Sequence, residues 1–223
     1  MGFSAFDIIG PAMVGPSSSH TAGAVRIGWV ARSLCREAPR RVRIELHGSF
    51  AATGRGHATD RALASGLLGH TPEDERLKDS LELAAAAGME VSFETADLGE
   101  EAHPNTARLH LDGPGGEHRV VTGSSVGGGV VEITSVDGFK TRFGGNLDTL
   151  VLWHGDHPGY LAKITGLFAC ADMNIATIRT SRRSRGTEAL TVIECDAPPL
   201  PEVCSLLEKI ESTAALRVIA PAG

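Results

Sequence analysis

Aromatic side chains are scarce: Phe, Trp and Tyr make up only 4% of the 223 residues. The core must therefore be built from Leu, Val, Ile and Ala, within a hydrophobic fraction of 42% that is ordinary for a globular chain. Cysteine is sparse too. Cys35, Cys170, Cys195 and Cys204 form no C-x-x-C pair, whereas zinc and iron–sulfur ligation normally shows closely spaced thiols. The expectation is four reduced thiols packed as small apolar residues, with no metal held by this chain. Positive charge is in deficit, 21 Lys and Arg against 27 Asp and Glu, for a net charge of −6. The one basic run, 179–185, is short and lacks interleaved aromatics, which argues against nucleic acid as a partner. No apolar stretch approaches the roughly 20 residues of a spanning helix, and no charged-then-apolar leader opens the sequence. These absences predict a cytoplasmic protein with no membrane partner.

What is present divides near Gly144-Gly145-Asn146, into domains over 1–146 and 147–223. In the first, apolar residues at helical spacing predict a helix over 22–34. Alternation predicts a strand over 42–46. Helices over 58–68 and 77–87 are closed by Gly69 and Gly88. Strands follow over 90–95, 107–111, 119–122 and 130–136, with a turn at Pro114-Gly115-Gly116. The second domain reads strand 148–153, helix 161–169, strands 175–181 and 189–195, helix 202–210 and strand 216–220. That β-α-β-β-α-β order is the ferredoxin-like split βαβ pattern. The fold class is α/β (α+β), a mixed N-terminal domain followed by a ferredoxin-like one.

Four segments of the first domain carry polar chemistry. Gly15-Pro16-Ser17-Ser18-Ser19-His20-Thr21-Ala22-Gly23 places four hydroxyls and an imidazole at the start of a helix. Ser and Thr cap free N–H groups there, and the same N–H groups suit an anion. An imidazole such as that of His20 is the side chain ordinarily suited to carry a proton at neutral pH. The second segment is Gly48-Ser49-Phe50-Ala51-Ala52-Thr53-Gly54-Arg55-Gly56-His57-Ala58-Thr59-Asp60-Arg61, read as a strand-to-helix loop. It lacks the third glycine of a dinucleotide fingerprint, but Arg55 and His57 suit a small carboxylate. The others are His103-Pro104-Asn105-Thr106 and Gly123-Ser124-Ser125-Val126-Gly127-Gly128-Gly129, whose glycines suggest close approach of a ligand or backbone. In the second domain Asp156-His157-Pro158-Gly159 leads into a helix and Asn174-Ile175 opens a strand, a small-ligand pattern at a helix start.

Taken in order, these motifs resemble the β chain of the bacterial two-subunit, iron–sulfur-dependent L-serine dehydratases, over essentially the whole chain. The region from Asp148, with Asp156-x-Pro158-Gly159, resembles an ACT domain. The first domain resembles the allosteric substrate-binding domain of some phosphoglycerate dehydrogenases. The resemblance implies a [4Fe–4S] cluster ligated by cysteines of a separate α chain, with one iron acting as Lewis acid on the serine hydroxyl. It implies that this chain covers the cluster, with Ser17, Ser18, Ser19 and Thr21 on the carboxylate of L-serine and His20 in proton transfer. Arg55, His57, Gly127 and Gly128 are the further substrate-binding residues expected. Asp156, Pro158, Gly159, Asn174 and Ile175 are the expected effector site. ACT pairing implies a homodimer of this chain, and so two copies of each subunit (α2β2). A competing reading is an amino-acid-sensing regulatory module with no catalytic role, since neither resemblance excludes it.

Overall fold

The computed structural model describes residues 17–53 and 58–222, so Arg55 and His57 lie outside the described residues. Two compact units are present, the first through Asp137 and including Ala222, the second over Gly138–Pro221.

In the first unit, β1 (Arg41–Leu46) alternates as expected, burying Val42, Ile44 and Leu46. Around it lie β2 (Glu90–Thr95), β3 (Thr106–Asp112), β4 (His118–Gly127) and β5 (Val130–Val136). Their order is β2-β1-β3-β4-β5. β2 runs parallel to β1, with Val42 opposite Val91, and the remaining pairs are antiparallel, with Val42 opposite Leu111. β4 continues beyond the expected 122 through the Gly123-Ser124-Ser125 stretch, its pairing with β5 resuming after register shifts at Thr122/Gly123 and Ser125/Gly127.

The helices are α1 (Ala24–Ser33), α2 (Gly48–Thr53), α3 (Thr59–Leu67) and α4 (Ser80–Ala86). A six-residue π turn, Ser18–Gly23, runs into α1, and a 3-10 turn, Glu75–Asp79, precedes α4. The scarcity of aromatics is answered by close backbone packing. A Cβ on Gly66 would lie 2.0 Å from the Val25 carbonyl oxygen, and one on Gly28 would lie 2.3 Å from that of Leu63. α1 and α3 therefore cross almost backbone to backbone, burying Ala24, Ile27, Ala31, Leu63 and Leu67 completely. Each large aliphatic in that layer contributes about 1.5–3 kcal/mol of burial.

The second unit opens with β6 (Phe139–Phe143), followed by β7 (Asp148–Gly155), α5 (Tyr160–Cys170), β8 (Ile175–Arg182), β9 (Glu188–Cys195), α6 (Pro201–Glu208) and β10 (Thr213–Ile219). β7 to β10 form one antiparallel sheet in the order β10-β7-β9-β8, the split βαβ arrangement expected. Leu150, Leu152, Ile193 and Leu216 line its core face beneath Tyr160, Ile164, Phe168, Val203 and Leu207. Pro201 stands in the first turn of α6, where its missing N–H removes no bond. β6 was not expected from the sequence. It is held in this unit by Arg183 over the Phe139 ring, 4.7 Å from its centroid, and by the Ser181 hydroxyl donating to the Lys140 carbonyl.

Candidate functional site

His20 does not lie on a loop before the helix. Ser17, extended at φ −140° and ψ 121°, is the cap, so helical winding begins at Ser18 rather than at 22. The Ser17 hydroxyl accepts the His20 N–H at 3.3 Å and its carbonyl accepts the Thr21 N–H at 2.8 Å. Ser18 and Ser19 are partly buried in that turn, and Thr21 is fully buried.

Three hydroxyls surround the His20 ring. Nδ1 lies 3.3 Å from Ser17 Oγ, while Nε2 lies 3.1 Å from Thr53 Oγ1 and 3.3 Å from Ser49 Oγ. Phe50, fully buried, packs edge-on to the imidazole with centroids 5.3 Å apart and planes at 66°. Ser49, Phe50 and Thr53 all come from α2, a segment expected as loop. Ser49 and Thr53 are one turn apart in it, and the Thr53 hydroxyl donates to the Ser49 carbonyl at 2.9 Å. α2 is tied down at its start as well. Gly48 has φ +54°, and a Cβ there would sit 2.7 Å from the Pro104 oxygen, while the Phe50 N–H donates to that oxygen at 3.3 Å.

The four polar segments of the sequence thus meet in one place. Pro104 abuts α2, the Asn105 carbonyl accepts the Ser125 N–H at 2.9 Å, and Thr106 Oγ1 bonds Ser124 Oγ at 2.7 Å. A Cβ on Gly23 would fall 2.1 Å from Ser125 Oγ. Thr21 Oγ1, Ser125 Oγ and Asn105 Oδ1 are buried with no hydrogen-bond partner among the described residues, each at a cost of about 1–3 kcal/mol. Gly127 ends β4, and Gly128 opens the two-residue turn into β5. With Gly129 they have φ of +114°, +59° and +79°, and Arg26 Nη1 donates to the Gly129 carbonyl at 2.8 Å. That turn accounts for the glycine run without a ligand. Sequence reasoning passed over Ser49, Thr53, Asn105 and Ser125 as site residues. The i, i+4 pair of hydroxyls in α2 was the available signal.

A cavity of about 730 Å³ also borders α2, lined by Phe50, Thr53, Asp60, Leu81, Phe93 and Glu94 among others. Its size is that of a small-molecule site. Its apolar walls and carboxylates do not suit an amino-acid carboxylate, so the polar reading rests on the His20 cluster.

In the second unit, Asp156 Oδ2 accepts the Gly186 N–H at 2.9 Å and a bond from Arg182 at 3.1 Å. The Gly186 N–H, then Arg182, hold its carboxyl below the usual carboxylate range. Pro158 and Gly159 follow it into α5, and the Asn174 amide donates to Asp196. The pairings Gly155 with Glu188 and Ile175 with Cys195 put the two groups at opposite ends of β9. At about 3.3 Å per residue that separation is on the order of 20 Å, so the five expected effector residues do not converge within one chain.

His154 is a second histidine among hydroxyls, only 5% exposed. Nε2 lies 2.8 Å from Thr191 Oγ1 and Nδ1 lies 2.8 Å from the Gly155 carbonyl oxygen. The ring stacks on Tyr160 at 3.8 Å, and the Tyr160 hydroxyl meets Thr213 Oγ1 at 2.8 Å. A carbonyl can only accept, so Nδ1 carries the proton and Thr191 donates to Nε2. Burial pushes its pKa below the ordinary imidazole value, against smaller opposing effects of the Gly155 carbonyl and Asp156.

The thiols are not gathered into an iron–sulfur ligand set. Burial pushes Cys195 up to about 11, so it packs as a protonated thiol. Cys35 is buried with its S–H directed at the Ala31 carbonyl, and Cys170 is exposed. Among the described residues no three His, Cys, Asp or Glu side chains are placed to hold a metal ion, and no helix is long and apolar enough to cross a membrane.

Comparison with known proteins places these features. A family model described as serine dehydratase beta chain matches residues 4–135, and an ACT domain model matches residues 149–212. The chain is 41% identical over 196 residues to the L-serine dehydratase beta chain of Peptoniphilus asaccharolyticus, covering 88% of each protein. It is 44% identical over 193 residues to the probable L-serine dehydratase beta chain of Bacillus subtilis, covering 86% of this chain and 87% of that one. An L-serine dehydratase of Streptomyces coelicolor is 34% identical over 200 residues, which span 78% of this chain but 43% of the relative.

Proposed function

Because the chain belongs to the serine dehydratase β-chain family and ends in an ACT domain, we propose that it is the non-cluster subunit of a cytoplasmic L-serine ammonia-lyase, which converts L-serine to pyruvate and ammonia. One observation carries this reading: an imidazole at a helix start held by three hydroxyls from two segments, Ser17, Ser49 and Thr53. Elimination of water from serine requires a proton to leave Cα and hydroxide to leave Cβ. His20 is the proton carrier in this reading. Ser18 and Ser19, with the first-turn N–H groups, take the substrate carboxylate beside Ser17. Thr21, Asn105 and Ser125 bring buried polar atoms that a polar substrate would satisfy. Arg55 and His57 remain proposed contacts from the sequence alone. The enamine released tautomerises and hydrolyses to pyruvate and ammonia without further help from the chain.

The [4Fe–4S] cluster that this family implies does not fit the four thiols of this chain, and we assign it to a separate α chain. The Streptomyces relative supports such a partner, since more than half of it lies outside the matched region. The opposite placement of Asp156, Pro158 and Gly159 relative to Asn174 and Ile175 supports a paired ACT domain. An effector touching all five would have to lie between two copies.

The test is anaerobic pyruvate formation from L-serine. The chain alone is expected to be silent, and the chain assembled with a cysteine-bearing α chain is expected to turn over. No turnover in the assembly, with serine still bound by this chain, would make it the sensor that the ACT domain alone permits.

A further inference from the structure

We propose that Thr53, supported by Ser49, is a positioning residue that fixes the His20 tautomer, with the proton on Nε2 and the lone pair on Nδ1. This inference rests on the proton-carrying role proposed for His20, and it names which nitrogen would do the work.

A hydroxyl has one proton to give. That of Thr53 goes to the Ser49 carbonyl, at 2.9 Å. Toward His20, 3.1 Å away, Thr53 Oγ1 can therefore only accept, so the proposed bond puts the proton on Nε2, with Ser49 Oγ, 3.3 Å from the same nitrogen, accepting beside it. On the other side of the ring, Ser17 Oγ accepts the backbone N–H of His20 at 3.3 Å and faces Nδ1 at 3.3 Å. That leaves its hydroxyl proton to give to Nδ1 in the proposed tautomer. The bonds run in one sense, from Nε2–H to Thr53 to the Ser49 carbonyl, and from Ser17 to Nδ1. Phe50 prevents the ring from leaving this plane without disturbing a fully buried aromatic. The consequence is directional. A proton taken up by His20 arrives at Nδ1, on the side of the Ser17-Ser18-Ser19 turn where the substrate carboxylate is proposed to bind. Nε2 stays committed to α2. This is the arrangement that a carboxylate provides for the base in a serine-protease triad, supplied here by a neutral threonine whose own proton is spent on the backbone.

The test is the ¹⁵N and two-bond ¹H–¹⁵N spectrum of the His20 imidazole in the full chain at alkaline pH, assigned by its absence in His20→Gln. The wild type is expected to show a single Nε2–H form. Thr53→Val keeps the shape of the side chain and removes the hydroxyl, so an Nδ1–H population is expected to appear. Thr53→Ser is expected to restore the wild-type pattern. In the assembled enzyme, Thr53→Val is expected to lower turnover about 10²-fold and Thr53→Ser to bring it back within a few-fold of wild type. An Nδ1–H form in the wild type overturns the proposal even if Thr53→Val fails to fold. So does a Thr53→Val spectrum unchanged from wild type. Full activity in His20→Ala would instead remove the proton-carrying role and leave the tautomer measurement standing.

Discussion

Each unit of this chain holds one histidine among hydroxyls, and the two sites differ in what supplies the fixed partner. At His154 it is the Gly155 carbonyl, which places the proton on Nδ1, while Thr191 donates to Nε2. The ring is stacked on Tyr160 and 5% exposed. At His20 the fixed partner is Thr53, itself anchored by a carbonyl, and the ring is only partly buried at the start of a helix. A desolvated, stacked imidazole is a structural element, because charging it would mean taking a cation into the core. A half-buried imidazole with the Ser17 hydroxyl able to turn at Nδ1 can accept a proton with little rearrangement. The same residue type serves packing in the ACT domain and, in the reading proposed here, chemistry in the first unit.

The contrast can be broken in order of effect. His20→Ala is expected to lower turnover of the assembled enzyme by about 10²–10⁴-fold, with little change in the unfolding midpoint of the chain. His154→Ala is expected to do the reverse, destabilising the second unit by about 2–4 kcal/mol through the lost stacked ring, measured by denaturant titration. Thr191→Val leaves His154 Nε2 without its donor and is expected to cost about 1 kcal/mol.

A pH titration of stability sharpens the comparison further. The folded state holds the His154 pKa below 6.5, so on acidification the unfolded chain takes up its proton first. Stability from this group is intact above about pH 6.5 and falls as pH drops from there through the lower folded value. The His154→Gln variant is expected to lose that component of the acid sensitivity. An unchanged profile would mean that His154 is not the buried neutral imidazole described here.

Much of this was legible in the sequence, for identifiable reasons. The second unit could be traced because β7 is an apolar, β-rich run buried almost throughout, its helices carry apolar stripes, and Pro201 marks the start of α6. β6 was missed although Asp137-Gly138, with both residues in the left-handed region, is a strong turn signal. The five residues of Phe139–Phe143 are short and half polar, and only Phe139 and Phe143 are buried.

In the first unit His20 and its hydroxyl neighbours were legible as a helix start, though shifted by four residues, because any of Ser17, Ser18, Ser19 and Thr21 can cap. α2 was not legible. Six residues opened by a glycine have weak helical preference, and the helix depends on Pro104, a residue more than fifty positions away in sequence. Ser49 and Thr53 were consequently passed over for Arg55 and His57, whose charges attract attention in a linear reading. The bonds that identify them exist only after the chain has folded.

The most direct measurement is the steady-state rate of pyruvate formation from L-serine by the assembled enzyme carrying His20→Ala, beside wild type under anaerobic conditions. The account predicts a fall of at least about 10²-fold in kcat, with assembly and serine binding retained. A rate within a few-fold of wild type would contradict it, and would leave the His20 cluster a binding site without a proton carrier.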